Sequence, residues 1–131
     1  MIGLDTNVVL RYLLQDDPAH TPQVNHIFER QLSIENPGFI NLVVVLEIVW
    51  VLQGKGKKPV EIAEHLKAIL SLQVLEVQNE LQVFEAAHAL EKGTAEFEDA
   101  LIGVLNLWAG CSSTLTFDRK AARLPYFQRL A

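Results

Sequence analysis

Apolar residues recur along the chain in two spacings, which together predict helices alternating with short strands. Val24, Ile27 and Phe28 follow helical spacing, whereas short apolar runs bounded by turn residues are typical of strands. The predicted helices cover residues 8–14, 19–32, 42–53, 60–70, 79–92 and about 95–109, and the predicted strands cover residues 1–4, 39–40, 73–77, 112–116 and 126–130. Asn41 and Thr94 are the expected N-caps of two of these helices.

Strands that alternate with helices indicate parallel pairing, because parallel strands need a crossover connection. We expect an α/β fold: a three-layer α/β/α sandwich around a mainly parallel sheet of four to five strands, formed as a single domain by residues 1–131. In such sheets ligands bind beyond the carboxyl ends of the strands. Asp5 follows the first predicted strand and Asp118 follows a later one, so both are expected at the same edge of the sheet.

The composition excludes several classes of protein. With 50% apolar residues in 131, the chain has enough apolar surface for a core, which excludes a disordered chain. Cys111 is the only cysteine, so no disulfide within the chain is possible and a reducing compartment is natural. The net charge of −5 argues against binding nucleic acid by general electrostatics alone. Without a signal-peptide pattern or a bilayer-length apolar run, the chain is expected to be soluble and cytoplasmic.

Glu47 is the only polar residue between Leu42 and Leu52. Valine and isoleucine in this run favour a strand by propensity, but the run is longer than a typical strand and does not alternate, so we predict a helix. A helix that is apolar on all sides is buried, and a buried carboxylate takes up a proton or binds a cation. The ordinary alternative is a glutamate that reaches the surface or pairs with an arginine.

Asp99 lies in a similar setting, at the start of a helix that is largely apolar. Glu96, Asp99, Gly103 and Asn106 are spaced i, i+3, i+7 and i+10, so they share one face of that helix. A polar stripe containing a glycine on an enclosed helix predicts a lined cleft. Acids in a first helical turn also complement the helix dipole, which explains Glu96 well and Asp99 poorly.

Asp5 and Asp118 are weak signals when each is taken alone, because aspartate is common at helix N-caps and in turns. If Asp5, Glu47, Asp99 and Asp118 converge, each pair at about 5 Å repels by about 3 kcal/mol, which protonation or a cation would relieve. Carboxylate ligands with no nearby histidine or cysteine favour Mg²⁺ or Mn²⁺ over zinc. Magnesium bound in this way usually acts on phosphates.

Four segments that contain these acids form a pattern along the chain. They are Ile2–Leu13, Val45–Leu52, Glu96–Ile102 and Leu115–Ala121. Each segment alone is loosely defined, but the four occur in order and at characteristic spacing. The pattern resembles PIN-domain proteins of the VapC toxin type, and the resemblance covers essentially the whole chain.

The resemblance implies a Mg²⁺- or Mn²⁺-dependent endoribonuclease, the toxin of a type II toxin–antitoxin pair. The implied metal ligands and catalytic residues are Asp5, Glu47, Asp99 and Asp118. Thr6 and Asn7 are implied to position Asp5 or a water, and Thr116 acts likewise beside Asp118. Glu96 stands where many relatives have aspartate, and its longer side chain makes it an accessory residue. The implied reaction is in-line attack of a metal-activated water on an RNA phosphodiester, leaving a 5′-phosphate and a 3′-hydroxyl.

The partners implied by the same resemblance are an RNA substrate, a VapB-like antitoxin protein and a second copy of the chain in a homodimer, with no membrane involved. Arg11, Arg119 and Lys120 neighbour the proposed acids and are candidate phosphate contacts, with surface ion pairs as the ordinary alternative. Trp50 and Trp108 lie in apolar helices and are expected in the core. The competing hypothesis is a PIN-like RNA- or protein-binding module without activity.

Overall fold

The computed structural model describes residues 1–131 and divides them into two compact units. The N-terminal unit comprises residues 1–55 and 68–80, and the C-terminal unit comprises residues 56–67 and 81–131. The helices are α1 (Thr6–Leu14), α2 (Thr21–His26), α3 (Leu42–Gly54), α4 (Pro59–Ser71), α5 (Glu80–Lys92) and α6 (Phe97–Trp108). The strands are β1 (Ile2–Gly3), β2 (Gly38–Ile40), β3 (Leu75–Val77), β4 (Thr114–Thr116) and β5 (Phe127–Arg129).

A parallel three-stranded sheet organises the N-terminal unit, with β2 between β1 and β3. Asn41 directly follows β2, and its side-chain oxygen accepts a hydrogen bond of 3.0 Å from the backbone N–H of Val44, which starts α3. Ile40, Ile48 and Leu52 are completely buried. The predicted N-cap and the predicted helix are therefore both confirmed, since the apolar run forms a helix rather than a strand.

Helices α1 and α2 are fixed against each other in the same unit. Helix α1 ends at Leu14, and its C-cap, Gln15, adopts a left-handed conformation with φ of 53°. The amides of Gln15 and Asn25 exchange two hydrogen bonds, of 2.6 and 3.0 Å. The rings of Tyr12 and Phe28 stack with their centroids 3.9 Å apart. Beyond α2 the chain continues as a π-helical turn over Ile27–Gln31, so the predicted helix over 19–32 is shorter and less regular than expected.

The C-terminal unit packs helices beside a parallel pair of strands, β4 and β5. Lys67 of α4 forms an ion pair of 2.9 Å with Glu91 of α5 and lies over the ring of Phe84. A side chain at Gly103 of α6 would collide with the rings of Tyr126 and Phe127, so the glycine allows the chain around β5 to approach the helix closely.

The α/β class and the parallel pairing are confirmed. The five strands form one sheet of three strands and one of two, whereas the sequence predicts a single sheet of four to five strands. The prediction of Thr94 as an N-cap is wrong, because its hydroxyl donates to the carbonyl oxygen of Ala89 and α6 begins only at Phe97. The exposed fractions of Trp50, 64%, and Trp108, 55%, also contradict their expected burial. None of the helices has the length and apolar character needed to span a bilayer.

Candidate acidic site

Asp5 and Glu47 are joined in the N-terminal unit through a single buried residue, Thr6. Asp5 follows β1 and is the N-cap of α1, where its Oδ1 accepts a hydrogen bond of 2.8 Å from the backbone N–H of Thr6. The Thr6 hydroxyl donates to Oε1 of Glu47 over 3.1 Å. We refer to Asp5, Thr6 and Glu47 as the Thr6 cluster. Its geometry depends on two neutral donors of one residue, so the position of the threonine fixes both carboxylates.

Glu47 is exposed, which corrects the prediction of an enclosed helix around it. Val43 and Trp50, four residues before it and three after it, have exposed fractions of 64% each. These three side chains lie on one face of α3, because residues spaced i, i+4 and i+7 share a face. The apolar pattern overestimated the burial, since this face of α3 is left uncovered. The ordinary alternative, that Glu47 reaches the surface, is therefore correct.

A second group of acids lies in the C-terminal unit, around the first turn of α6. Asp118 follows β4, and its Oδ1 accepts hydrogen bonds from the backbone N–H groups of Lys120 and Ala121. The Thr116 hydroxyl oxygen accepts a bond of 3.0 Å from the backbone N–H of Asp118. The Lys120 ammonium donates to Oε1 of Glu96 over 3.0 Å. We refer to Glu96, Asp99, Asp118 and Lys120 as the Asp99 cluster.

The pKa of Asp99 reports the electrostatics of this cluster. Partial burial raises the pKa of its carboxyl above the ordinary value, and the negative charges of Asp118 and Glu96 raise it further. Lys120 acts in the opposite direction and does not cancel the rise. The ionised form of Asp99 is therefore disfavoured in this protein, as expected where like charges gather without a sufficient counter-charge.

The four predicted acids have no counter-ion within the protein. The ion pairs of the molecule are Arg11–Asp17, His20–Asp17, Lys67–Glu91 and Lys120–Glu96. Asp5, Glu47 and Asp118 each use one carboxylate oxygen in hydrogen bonds to the chain, and the second oxygen of each has no such bond. Oxygen donors of this kind suit Mg²⁺ or Mn²⁺. No three His, Cys, Asp or Glu side chains are grouped closely enough to hold a metal ion among them.

The polar stripe predicted along α6 divides into two parts with different roles. Asp99 and Glu96 belong to the acidic cluster. Gly103 is buried under Tyr126 and Phe127, and the amide of Asn106 donates to the Thr114 hydroxyl over 3.0 Å. The interpretation of a lined cleft is therefore wrong for the second half of the stripe, which packs α6 against β4 and the chain around β5.

The remaining candidate residues lie at the surface or close to it. Asn7 is exposed on the first turn of α1, and Arg11, one turn later, is half-buried with its Nη1 3.5 Å from Oδ2 of Asp17. Arg119 is exposed beside Asp118, and Lys120 takes the ion pair with Glu96 that the ordinary alternative anticipated.

The structure contains a pocket beside α1 that the sequence does not predict. Asn7, Val8 and Arg11 line one side, and Gln23, Val24 and Ile27 line the other. Both sets follow the spacing i, i+1 and i+4. That shared spacing is the signal that could have identified two facing helix surfaces, but only with knowledge that the helices pack together.

Comparison with known proteins gives one family match. A family model described as PIN domain matches residues 2–125. No curated protein and no solved structure matches the chain. The matched range includes every acid of the two clusters.

Proposed function

We propose that this chain, which belongs to the PIN domain family, is a divalent-metal-dependent endoribonuclease and the toxin of a type II toxin–antitoxin pair. PIN domains are generally metal-dependent nucleases, which supports a hydrolase in general terms. The observation that carries the proposal is the presence of four acidic side chains without ion-pair partners. Asp5, Glu47, Asp99 and Asp118 are all present, none forms an ion pair, and burial together with like charge disfavours ionisation of Asp99.

In this proposal the four acids, Asp5, Glu47, Asp99 and Asp118, would hold Mg²⁺ or Mn²⁺; no three of them are grouped for this in the chain alone, so binding of the ion would have to bring them together. When bound, the ion would supply positive charge to offset that of the phosphoryl group and would lower the pKa of a water, so that hydroxide is available as the nucleophile. The chain's own contribution is orientation. Thr6 fixes one oxygen of Asp5 and one of Glu47, while backbone N–H groups fix one oxygen of Asp118. The free oxygens are thereby held in place before any ligand arrives, which lowers the entropic cost of binding.

The other predicted residues have supporting roles. Thr116 holds the loop of Asp118 through the backbone N–H of that residue. Glu96 is an accessory acid: it adds negative charge beside Asp99, and its ion-pair partner Lys120 offsets part of that charge. Asn7 is exposed next to Thr6, where an amide can orient a water or a phosphate oxygen. The proposed phosphate contacts are Lys120, a member of the Asp99 cluster, and its neighbour Arg119.

The charge of the protein explains why a cation would be required. The chain carries a net charge of −5, and RNA is a polyanion. The four unpaired carboxylates, which are part of that charge, would repel the scissile phosphate at the reaction centre. Two divalent ions would formally neutralise them, and we propose that the second ion arrives with the substrate.

The proposal includes a VapB-like antitoxin, a homodimer and a cytoplasmic location. Support for a protein partner comes from the outward face of α3, where Val43 and Trp50 expose large apolar surfaces on either side of Glu47. Exposed apolar groups of this size are typical of contact surfaces. A partner that covered this face would also cover Glu47, an acid of the proposed site, and would thereby inhibit the nuclease.

RNA cleavage by the purified chain tests the proposal. We expect cleavage of a labelled single-stranded RNA in Mg²⁺ or Mn²⁺, no cleavage in EDTA, and no cleavage by Asp5→Ala. Asp16→Ala is the matched control, because Asp16 is also an exposed aspartate of the N-terminal unit and forms no ion pair. If wild type and Asp5→Ala cleave equally, catalysis by this site is wrong. RNA binding without cleavage would favour the inactive binding module.

A further inference from the structure

The pocket beside α1 has the form of a small-molecule site. Its volume is about 440 Å³, within the range of about 300–1,000 Å³ typical of ligand pockets. Val8, Val24 and Ile27 provide an apolar lining, and the polar groups of the lining come from Asn7, Arg11, Asp17, His20 and Gln23. None of the four proposed metal ligands lines this pocket.

Arg11 has donor capacity that the protein does not use. Its Nε is buried and has no hydrogen-bond partner, and its one ionic neighbour, Oδ2 of Asp17, lies at 3.5 Å, beyond the usual length of an N–H···O bond. Asp17 is already committed elsewhere. Its Oδ1 accepts from the backbone N–H groups of Ala19 and His20, and its Oδ2 lies 2.9 Å from Nδ1 of His20. Buried donors without partners are rare in proteins, so an unfilled guanidinium in a pocket indicates a ligand with acceptors.

The pocket is formed before any ligand binds. The reciprocal amide bonds between Gln15 and Asn25 fix the end of α1 to α2, and the stacked rings of Tyr12 and Phe28 fix the following turn. The carboxylate of Asp17 also holds the turn that leads into α2 through its bonds to backbone N–H groups. Because both walls are held in this way, occupancy would cost little ordering.

We propose that this pocket receives one unpaired base of the RNA substrate and prefers guanine, an inference that rests on the proposed function. An apolar lining suits the faces of a base, and unpaired bases are what proteins read in RNA. Guanine presents two acceptors, N7 and O6, to an arginine, whereas adenine offers a single acceptor on that edge. The carboxylate of Asp17 beside Arg11 disfavours a phosphate in the same place, so Arg11 serves here as a base contact rather than the phosphate contact expected from sequence.

The position of the pocket places the selected base close to the reaction centre along the RNA. Asn7 lines the pocket and directly follows Thr6, whose N–H and hydroxyl hold Asp5 and Glu47. A base bound here therefore belongs to a nucleotide near the scissile linkage. The pocket would select the cleavage site, while the acids would carry out the hydrolysis.

Sequencing of the cleavage sites in a randomised single-stranded RNA pool tests the inference. The wild type is compared with Arg11→Met, which keeps the apolar stem and removes the donors, and with Arg30→Met, an exposed control in the same unit that does not line the pocket. For the wild type we expect guanine enriched about fivefold or more at one position near the cut, as a bidentate base contact provides. Arg11→Met should lose this enrichment and Arg30→Met should retain it.

A second measurement separates failure of this inference from failure of the proposed function. Guanosine 5′-monophosphate is titrated into wild-type protein while the amide signals of Val8, Val24 and Ile27 are followed by NMR, with the adenosine, cytidine and uridine monophosphates in parallel. Larger shifts with the guanosine nucleotide support the base pocket even if no RNA is cleaved. Equal shifts with all four nucleotides, no shift with any of them, or an enrichment pattern unchanged in Arg11→Met would each overturn it.

Discussion

Carboxylates gather in two regions of this molecule, and the interactions around them differ. In the Thr6 cluster, neutral donors orient Asp5 and Glu47: a backbone N–H for one and a hydroxyl for the other. In the Asp99 cluster, burial and like-charged neighbours raise the pKa of Asp99, and Lys120 offsets this only in part. The first region has fixed geometry without a counter-charge. The second has an excess of charge that the fold leaves uncompensated.

The difference indicates a division of roles within the proposed site. Substitutions in the Thr6 cluster should act mainly through geometry, because neutral groups there set the position of the ligand oxygens. Substitutions in the Asp99 cluster should also change stability, because removing a charge relieves repulsion. Four substitution experiments, ordered by the size of the expected change, test this division of roles.

Loss of one acid from either cluster should have the largest effect. Asp5→Asn and Asp118→Asn should each lower kcat/KM for RNA cleavage by more than about 100-fold, since altering even the groups that orient a metal ligand costs about 10–100-fold. The matched controls are Asp16→Asn in the N-terminal unit and Glu64→Gln in the C-terminal unit, both exposed. If only one of the two variants lost activity, the other cluster would not be part of the site.

The hydroxyl of Thr6 provides a test of geometry alone. Thr6→Val keeps the shape of this buried side chain and removes the donor to Glu47, so cleavage should fall by about 10–100-fold and the Mg²⁺ concentration for half-maximal activity should rise. Thr6→Ser returns the hydroxyl and should recover most of the activity. Equal activity in the valine and serine variants would show that the bridge between the carboxylates is unimportant.

Local signals in the sequence were sufficient to predict the helices and strands and the loops that carry acidic residues. Asn41 as an N-cap and Asp5 after a strand follow from neighbouring residues, and the structure places both as expected. Packing between residues far apart in the sequence could not be predicted in this way. Periodicity does not reveal whether an apolar face is covered, so Glu47 and Trp50 were wrongly expected to be enclosed. Gly103 looked like part of a cleft because the rings that cover it come from residues more than twenty positions later.

The charge of Asp99 should be visible in the thermal stability. Its raised pKa means that the folded state prefers protonated Asp99, a preference that stabilises the fold below the ordinary value of 3.8 and is lost as the pH rises through the raised pKa. Asp99→Asn mimics the neutral form, so at pH 7 in EDTA its Tm should exceed that of wild type. The difference should shrink below pH 3.8. A Tm equal to or below that of wild type at pH 7 would contradict the repulsion.

The ion pair of Lys120 with Glu96 should contribute least. Both side chains are about half exposed, at 44% and 52%, and exposed pairs stabilise by about 0–1 kcal/mol. Lys120→Met should therefore change Tm by less than about 3 °C. Because Lys120 lowers the pKa of Asp99, its removal should raise that pKa further, which NMR titration of the Asp99 carboxyl measures. An unchanged pKa would mean that the lysine does not temper this cluster.

The proposal that acids of both clusters bind one divalent ion is tested by calorimetric titration of Mn²⁺. The wild type, Asp5→Asn, Asp118→Asn and the double variant form a double-mutant cycle. A shared ion predicts that each single substitution removes most of the affinity and that the double variant is little worse than either. If the two losses simply add, or if each single variant retains a full-strength site, the clusters bind independently and the account is wrong.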